Sequence, residues 1–252
     1  MKVLLITQAR IGSTRLPGKV LLPIGEETLL SVHLKRLRDC TTINQIVVAT
    51  TFEDGVERLI DICNESEVDC YQGSLVDVLD RFYQASIEYQ PDLVVRVTSD
   101  CPLLDSRVVD KVVRKAIETN VDYCANIITE DFPDGQDVEV FKFSALERAW
   151  NDATLMSERE HVTPYIRNNS DLKGGELFTA YDVKCHSNFN SIRMTVDEKA
   201  DLKAIRILID ELGIASTWEE YVEYIIKHFD SIGNTDIIRN EGYQKSLTKD
   251  TK

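Results

Sequence analysis

The 252-residue chain has no surplus of positive charge: 29 Lys and Arg stand against 43 Asp and Glu, a formal net charge of -14. A protein that gains affinity by neutralising phosphates along a nucleic acid needs a basic excess or a basic face, so nucleic acid is excluded as a partner at whole-chain scale. No apolar run approaches the roughly 20 residues that span a bilayer, which excludes a membrane partner. The opening run Met1-Lys2-Val3-Leu4-Leu5-Ile6 breaks at Thr7-Gln8 and then Arg10. That is too early for a signal peptide, and the run reads as a buried first strand. Six cysteines (Cys40, Cys63, Cys70, Cys101, Cys124, Cys185) make no CxxC pair and no Cys/His spacing suited to zinc. Scattered thiols without an export signal fit a cytoplasmic location. There is no internal repeat, low-complexity tract or Pro/Gly/Ser linker, so one domain over 1–240 is expected, followed by a loosely held polar tail at 241–252.

What is present is an alternation of short Val/Ile/Leu-rich runs with longer segments of helical period, the pattern of an α/β protein with a parallel sheet covered on both faces. Strands are expected at Val3–Thr7, Ile46–Thr51, Val68–Tyr71, Leu93–Thr98, Tyr123–Ile127, Asp137–Phe141, Leu177–Val183 and Ile192–Thr195. Helices are expected at Leu29–Arg38, Val56–Glu65, Val76–Tyr89, Arg107–Thr119, Ala145–Ala153, Glu158–Asn168, Leu202–Leu212 and Trp218–Phe229. Asp54 with Glu57, Ser144 with Glu147, Ser157 with Glu160 and Ser216 with Glu219 have capping-box spacing.

The first 25 residues of this acidic chain contain Lys2, Arg10, Arg15 and Lys19 and no acid. The segment Ala9-Arg10-Ile11-Gly12-Ser13-Thr14-Arg15-Leu16-Pro17-Gly18-Lys19 follows the first strand and so sits at its carboxyl end, where open α/β sheets bind ligands. Glycines at 12 and 18 allow close backbone approach to an anion, and Arg10, Arg15 and Lys19 can neutralise several phosphate oxygens at once. Five residues separate Gly12 from Gly18 and Val20 follows Lys19, so the loop is not a P-loop, and no GxGxxG is present. Two acids close probable strands on the same side: Asp100 after Leu93–Thr98 and Asp197 after Ile192–Val196. Such a pair suits Mg²⁺, which takes one or two carboxylates and completes its shell with phosphate oxygens and water. Asp197 could alternatively cap the helix that opens at Glu198–Asp201.

The basic loop resembles the signature of the cytidylyltransferases that activate acidic sugars, the group of CMP-Kdo synthetase and acylneuraminate cytidylyltransferase. Its nearest likeness is to the spore coat polysaccharide biosynthesis branch. The likeness continues in order through Gly73–Arg81, Arg96–Leu103, Asp134–Glu139, Arg159–Tyr165 and Thr195–Glu198, spanning most of residues 1 to 212. The resemblance implies a three-layer αβα Rossmann-like nucleotide-diphospho-sugar transferase fold with a mixed, mostly parallel sheet. It also implies Mg²⁺ on Asp100 and Asp197, CTP and an acidic, nonulosonic or Kdo-like sugar as substrates, release of pyrophosphate, and a homodimer. Arg10, Arg15 and Lys19 would then hold the phosphates. By the same resemblance Ala9, Gly12, Ser13, Ala49, Thr50, Ser74, Asp77 and Arg81 surround the nucleotide, although Asp77 and Arg81 could equally pair along one helix face. Gln136, Glu139, Arg159, Glu160 and His161 fall in the sugar-binding and dimer region at about 130–190, with Arg159 the nominee for the sugar carboxylate. Glu160 could instead be a capping partner and His161 a packed histidine. A GT-A glycosyltransferase, a sugar-1-phosphate nucleotidylyltransferase and a non-catalytic nucleotide-binding protein are the competing readings. Asp100-Cys101-Pro102 lacks the second acid of the DxD motif that a glycosyltransferase carries.

Overall fold

The computed structural model describes residues 1–232 and 239–250; residues 233–238 of the expected domain and 251–252 of the expected tail lie outside the described residues. The strands are β1 (Val3–Gln8), β2 (Pro23–Ile24), β3 (Glu27–Thr28), β4 (Gln45–Thr51), β5 (Asp69–Gly73), β6 (Leu93–Thr98), β7 (Tyr123–Ala125), β8 (Glu139–Lys142) and β9 (Ala180–Asp182). The helices are α1 (Leu29–Arg38), α2 (Glu57–Glu65), α3 (Val78–Ile87), α4 (Ser106–Thr119), α5 (Phe143–Asp152), α6 (Met156–His161) and α7 (Pro164–Asn168), then α8 (Lys199–Leu212), α9 (Trp218–Lys227), α10 (Phe229–Ile232) and α11 (Glu241–Asp250).

Among the described residues seven strands form one sheet in the order β5-β4-β1-β6-β8-β7-β9. β5, β4, β1 and β6 are mutually parallel, β8 runs antiparallel to both neighbours, and β9 is parallel to β7. Alternation along β1 divides the core. Val3 and Leu5 pack with α1, α4, α8 and α9, whereas Leu4 and Ile6 pack with α3, α5 and the α6–α7 region. The result is the αβα sandwich, a mixed and mostly parallel sheet between two helical layers. From β1 the chain winds through β4 to β5 and then crosses to β6 on the other side of β1. The crevice at the carboxyl ends of β1 and β6 is therefore the point where the winding reverses, which is where such sheets bind ligands.

Several expectations are corrected. Ile192–Thr195 is not a strand: one isolated bridge joins Arg193 to Asp134, because the segment meets the sheet end-on rather than alongside a neighbour. The helix expected over Glu158–Asn168 is two helices, α6 and α7. Val162 sits at φ 73, and Pro164, which lacks an N–H and disfavours helical geometry in the residue before it, starts the second. None of the four proposed capping boxes forms. Among the described residues, boxes with a hydroxyl cap form at Thr28 with Ser31 and at Thr217 with Glu220, the latter one residue beyond the expected pair. The tail is not loose where it is described: α11 packs along α6, and Asp250 accepts a hydrogen bond from the Ser157 amide at 2.9 Å. Among the described residues no helix is long and apolar enough to cross a membrane.

Candidate functional site

The basic loop is held in place before any ligand arrives. Leu16 and Val20 are buried, Gly18 adopts the left-handed φ of 65 that caps a short 3₁₀ turn over Lys19–Leu21, and the Gly18 amide donates to the Ile11 carbonyl at 2.9 Å. Glu53, beyond the end of β4, accepts from the amides of Ile11 and Gly12 at 3.1 Å each and from the Thr51 hydroxyl at 2.6 Å. A Cβ on residue 12 would lie 2.3 Å from the Glu53 carboxylate, so Gly12 serves the approach of this internal anion. Glu53 gave no signal in the sequence, since its partners lie about forty positions away.

The turn on the loop sets Lys19 against Asp100, just past β6, and against Asp197. Its Nζ donates to Asp100 Oδ2 at 2.8 Å, to the Val196 carbonyl at 2.9 Å and to Asp197 Oδ1 at 3.0 Å, which uses all three ammonium protons. Burial works against the charge, yet Asp100 and Asp197 outweigh it and raise the Lys19 pKa above its ordinary value. Burial likewise opposes ionisation of Asp100, and the ammonium overcomes it to hold that carboxyl well below the usual range. Asp197 also receives Arg15 and Arg193, each at 2.8 Å. It does not cap α8: Glu198 is the cap residue, and the Asp201 carboxylate accepts the amides of Asp197 and Glu198 at 2.9 Å each. The Val196 amide donates to the Asp100 carbonyl at 2.7 Å, so the backbones that carry the two acids are tied directly.

Two cavities meet at this pair. One, of about 780 Å³, is lined by the basic loop with Asp77, Arg81, Arg159 and Glu160. The other, of about 540 Å³, is lined by Arg96, Asp134, Asp137, Glu139, Arg167 and Arg193 among others. Arg15, Asp100, His161 and Asp197 border both. A donor and an acceptor held in adjacent spaces with the acids at the seam is the arrangement that group transfer requires. The two carboxylates are hard oxygen donors already sharing one cation, which fits a dication of the Mg²⁺ kind. No group of three or more His, Cys, Asp or Glu among the described residues makes a fuller cage.

Of the residues singled out in the sequence, Ala9, Arg10, Ser13, Arg15, Lys19, Asp77, Arg81, Asp100, Arg159, Glu160, His161 and Asp197 line the first cavity, and Glu139 lines the second. Ala49 and Thr50 are fully buried beneath it in β4, and Ser74 turns the chain into α3, its hydroxyl accepting from the Asp77 amide at 3.0 Å. Gln136 is completely buried. It accepts from the Asp105 amide and donates to the Leu103 carbonyl at 2.9 Å each, bracing the turn beneath Asp100. Asp77 caps α3 and grips Arg159, with Nη2 to Oδ2 at 2.6 Å, rather than pairing with Arg81. The Arg159 guanidinium also donates to the Trp150 carbonyl at 2.6 Å. Arg81, almost fully buried, donates to the Ser74 carbonyl at 2.7 Å and leaves Nε without a partner. Burial, with Arg10 nearby, pulls its pKa down to about 10.

The sequence reading missed Arg167. Five arginines line the second cavity, and four are paired: Arg15 with Asp197, Arg96 with Glu139, Arg193 with Asp134, Asp197 and Asp201, and Arg239 with Asp137. Among the described residues Arg167 alone of the five has no carboxylate within ion-pair distance. Pro164 is the signal that could have drawn notice to it, since it starts a separate helix and turns residue 167 towards the cavity.

Comparisons with known proteins agree with this geometry. A family model described as cytidylyltransferase matches residues 4–227. An uncharacterised protein of Methanocaldococcus jannaschii is 38% identical over 237 residues, 94% of this chain and 88% of the other. Spore coat polysaccharide biosynthesis protein SpsF of Bacillus subtilis is 28% identical over 227 residues, 84% of this chain and 88% of the other. The solved structure of a cytidylyltransferase from Leptospira borgpetersenii superposes with a TM-score of 0.87 at 32% identity, covering 95% of this chain and 100% of that one.

Proposed function

The chain belongs to the cytidylyltransferase family, and on that premise we propose that it transfers CMP from CTP to a hydroxyl of an acidic sugar, nonulosonic or Kdo-like, with release of pyrophosphate for surface polysaccharide synthesis. One observation carries the reading: a cationic loop faces the carboxylates of Asp100 and Asp197 at the seam of two cavities, with Lys19 bonded to both acids.

The larger cavity takes the nucleotide and the smaller the acceptor. The acceptor hydroxyl attacks the α-phosphorus, the bond from that phosphorus to the bridging oxygen breaks, and pyrophosphate carries the charge away. Such transfer depends on positioning and charge stabilisation, so Arg10 and Arg15 hold the β and γ phosphates and the leaving group, while Lys19, its three protons already engaged, fixes the two acids beside them. Asp100 and Asp197 would hold Mg²⁺, which when bound would supply further neutralisation and lower the pKa of the attacking hydroxyl. Ala9 and Ser13 contribute loop backbone and a hydroxyl to the phosphate side, Gly12 shapes the loop through Glu53, and Asp77 and Arg81 border the base and ribose. Arg159 is occupied by Asp77, and so the acceptor carboxylate is assigned to Arg167, whose planar fork suits it. Glu139 steadies that wall by accepting from Tyr123 Oη and from Arg96 at 2.5 Å each. By resemblance the enzyme works in the cytoplasm as a homodimer, which light scattering on the purified protein tests.

The deciding assay is pyrophosphate release with a panel of nucleoside triphosphates and acidic sugars, with and without Mg²⁺. CTP-dependent, Mg²⁺-dependent release that falls at least 10²-fold in Asp100→Asn and Asp197→Asn is the expected result. No release from folded protein with any pair refutes the reading.

A further inference from the structure

Residues 239–250 lie beyond the segment that the family model matches, which ends at 227, yet they form part of the wall of both cavities. The arm is tied across the cleft by specific polar contacts. Arg239 binds Asp137 at 2.5 Å and the Phe132 carbonyl at 2.9 Å. Ser246 Oγ lies 2.8 Å from Glu160 and 3.0 Å from the His161 ring. Between these anchors Tyr243 packs edge-on against His161 with centroids 5.3 Å apart, and the Arg167 guanidinium lies 5.1 Å from the Tyr243 ring centre.

That last contact matters because Arg167 has no carboxylate to fix its direction. Burial opposes its charge, but Tyr123, Glu139 and Tyr243, whose hydroxyl also bonds to it, outweigh that and raise its pKa above the ordinary value, and the guanidinium lies over the Tyr243 ring. A cation held against a ring keeps its outer N–H groups available to a third partner.

We propose that the arm completes the acceptor cavity and that Tyr243 is a positioning residue, presenting the Arg167 guanidinium to the carboxylate of the acceptor. This rests on the reading of Arg167 as the acceptor's anchor. Ring and hydroxyl both bear on the guanidinium, so phenylalanine keeps part of the positioning and alanine none. Acceptor selection is then set partly by a segment outside the shared family domain.

Two measurements on full-length protein test it. The first needs no substrate: the rate at which phenylglyoxal modifies Arg167, followed by mass spectrometry, rises about fivefold in Tyr243→Ala and by a smaller factor in Tyr243→Phe. The second uses the acidic sugar turned over in the pyrophosphate assay: Tyr243→Ala raises its KM about tenfold, leaving kcat and the KM for CTP within twofold, and Tyr243→Phe raises it by a smaller factor. An unchanged labelling rate in Tyr243→Ala overturns the proposal, as does an unchanged acceptor KM. Equal impairment by phenylalanine and alanine overturns the role of the ring. If no acidic sugar is turned over, the functional reading falls, while the labelling rates still decide whether Tyr243 positions Arg167.

Discussion

Replacing Lys19 by methionine removes the ammonium and keeps most of the stem. The loss falls unevenly on its three partners. Asp197 keeps Arg15 and Arg193 at 2.8 Å, whereas Asp100 keeps no cation and retains the neutral donors alone: the Thr98 hydroxyl, its own amide and the weak Cys101 thiol contact at 3.6 Å. Removing one member of a buried pair costs about 3–5 kcal/mol. The Asp100 side chain is 27% exposed, and water screens part of that, so about 2–3 kcal/mol is expected. In a domain of this size that lowers Tm by roughly 4–12 °C. The pH dependence has a definite sign. Lys19 depresses the Asp100 pKa below its ordinary value of 3.8, so the stability it confers is complete above about pH 4 and disappears as the pH falls towards the folded value. The gap between parent and variant therefore closes in acid. Mg²⁺ supplies a second reading: with the ammonium gone, the dication stabilises the variant by about 1.4 kcal/mol at ten times its dissociation constant, and the parent, where the ammonium competes for both acids, by less. Pyrophosphate release falls on the order of 10²–10³-fold. Thermal melts across pH 3–8 with and without Mg²⁺, beside the release assay, decide it. A variant that melts within 1 °C of the parent, or turns over within threefold of it, refutes the reasoning.

Other outcomes follow from the same geometry. His33 is fully buried, with Nδ1 against the Cys101 carbonyl at 2.9 Å and Nε2 against Thr7 Oγ1 at 3.0 Å; burial lowers its pKa from 6.5 to about 4. It destabilises the fold as the pH drops from about 6.5 to 4, by roughly 3 kcal/mol when complete, and His33→Gln flattens that part of a urea-denaturation pH profile. Gly135→Ala places a Cβ 2.8 Å from the Met194 backbone at φ 108 and should cost roughly 2–4 kcal/mol by the same denaturation measurement. Arg159→Gln leaves the acceptor KM within about threefold, whereas Arg167→Gln raises it at least tenfold; steady-state kinetics with the acceptor varied separate the two.

The first half of the fold was nearly legible in the sequence because its signals are local. β6 and α1 fall where their patterns placed them, and β1 and β4 each differ by one residue at an end. The second half is assembled by distant pairing: β8 inserts antiparallel between β6 and β7, and Ile192–Thr195 is apolar for packing rather than for a ladder. α11 is polar and Lys-containing, hence its reading as a loose tail. Side-chain bonds to α6, not a broad apolar stripe, hold it. At the site, Lys19, Asp100 and Asp197 announced themselves by charge and by their place after apolar runs. The pairing that leads us to propose Arg167 in place of Arg159 did not, because Arg159's partner Asp77 is 82 positions away.

The bond from the Val196 amide to the Asp100 carbonyl carries a consequence for how such enzymes diversify. It closes the whole stretch from 101 to 195 into a loop whose two ends meet beside the transfer centre. That stretch contributes β7, β8, α7 and Arg167, most of one wall of the acceptor cavity. Substitutions, insertions or deletions within it alter what is accepted, while the spacing of the two acids stays set by a single backbone contact at the neck. Acceptor choice and phosphoryl chemistry can thus evolve separately in one continuous chain.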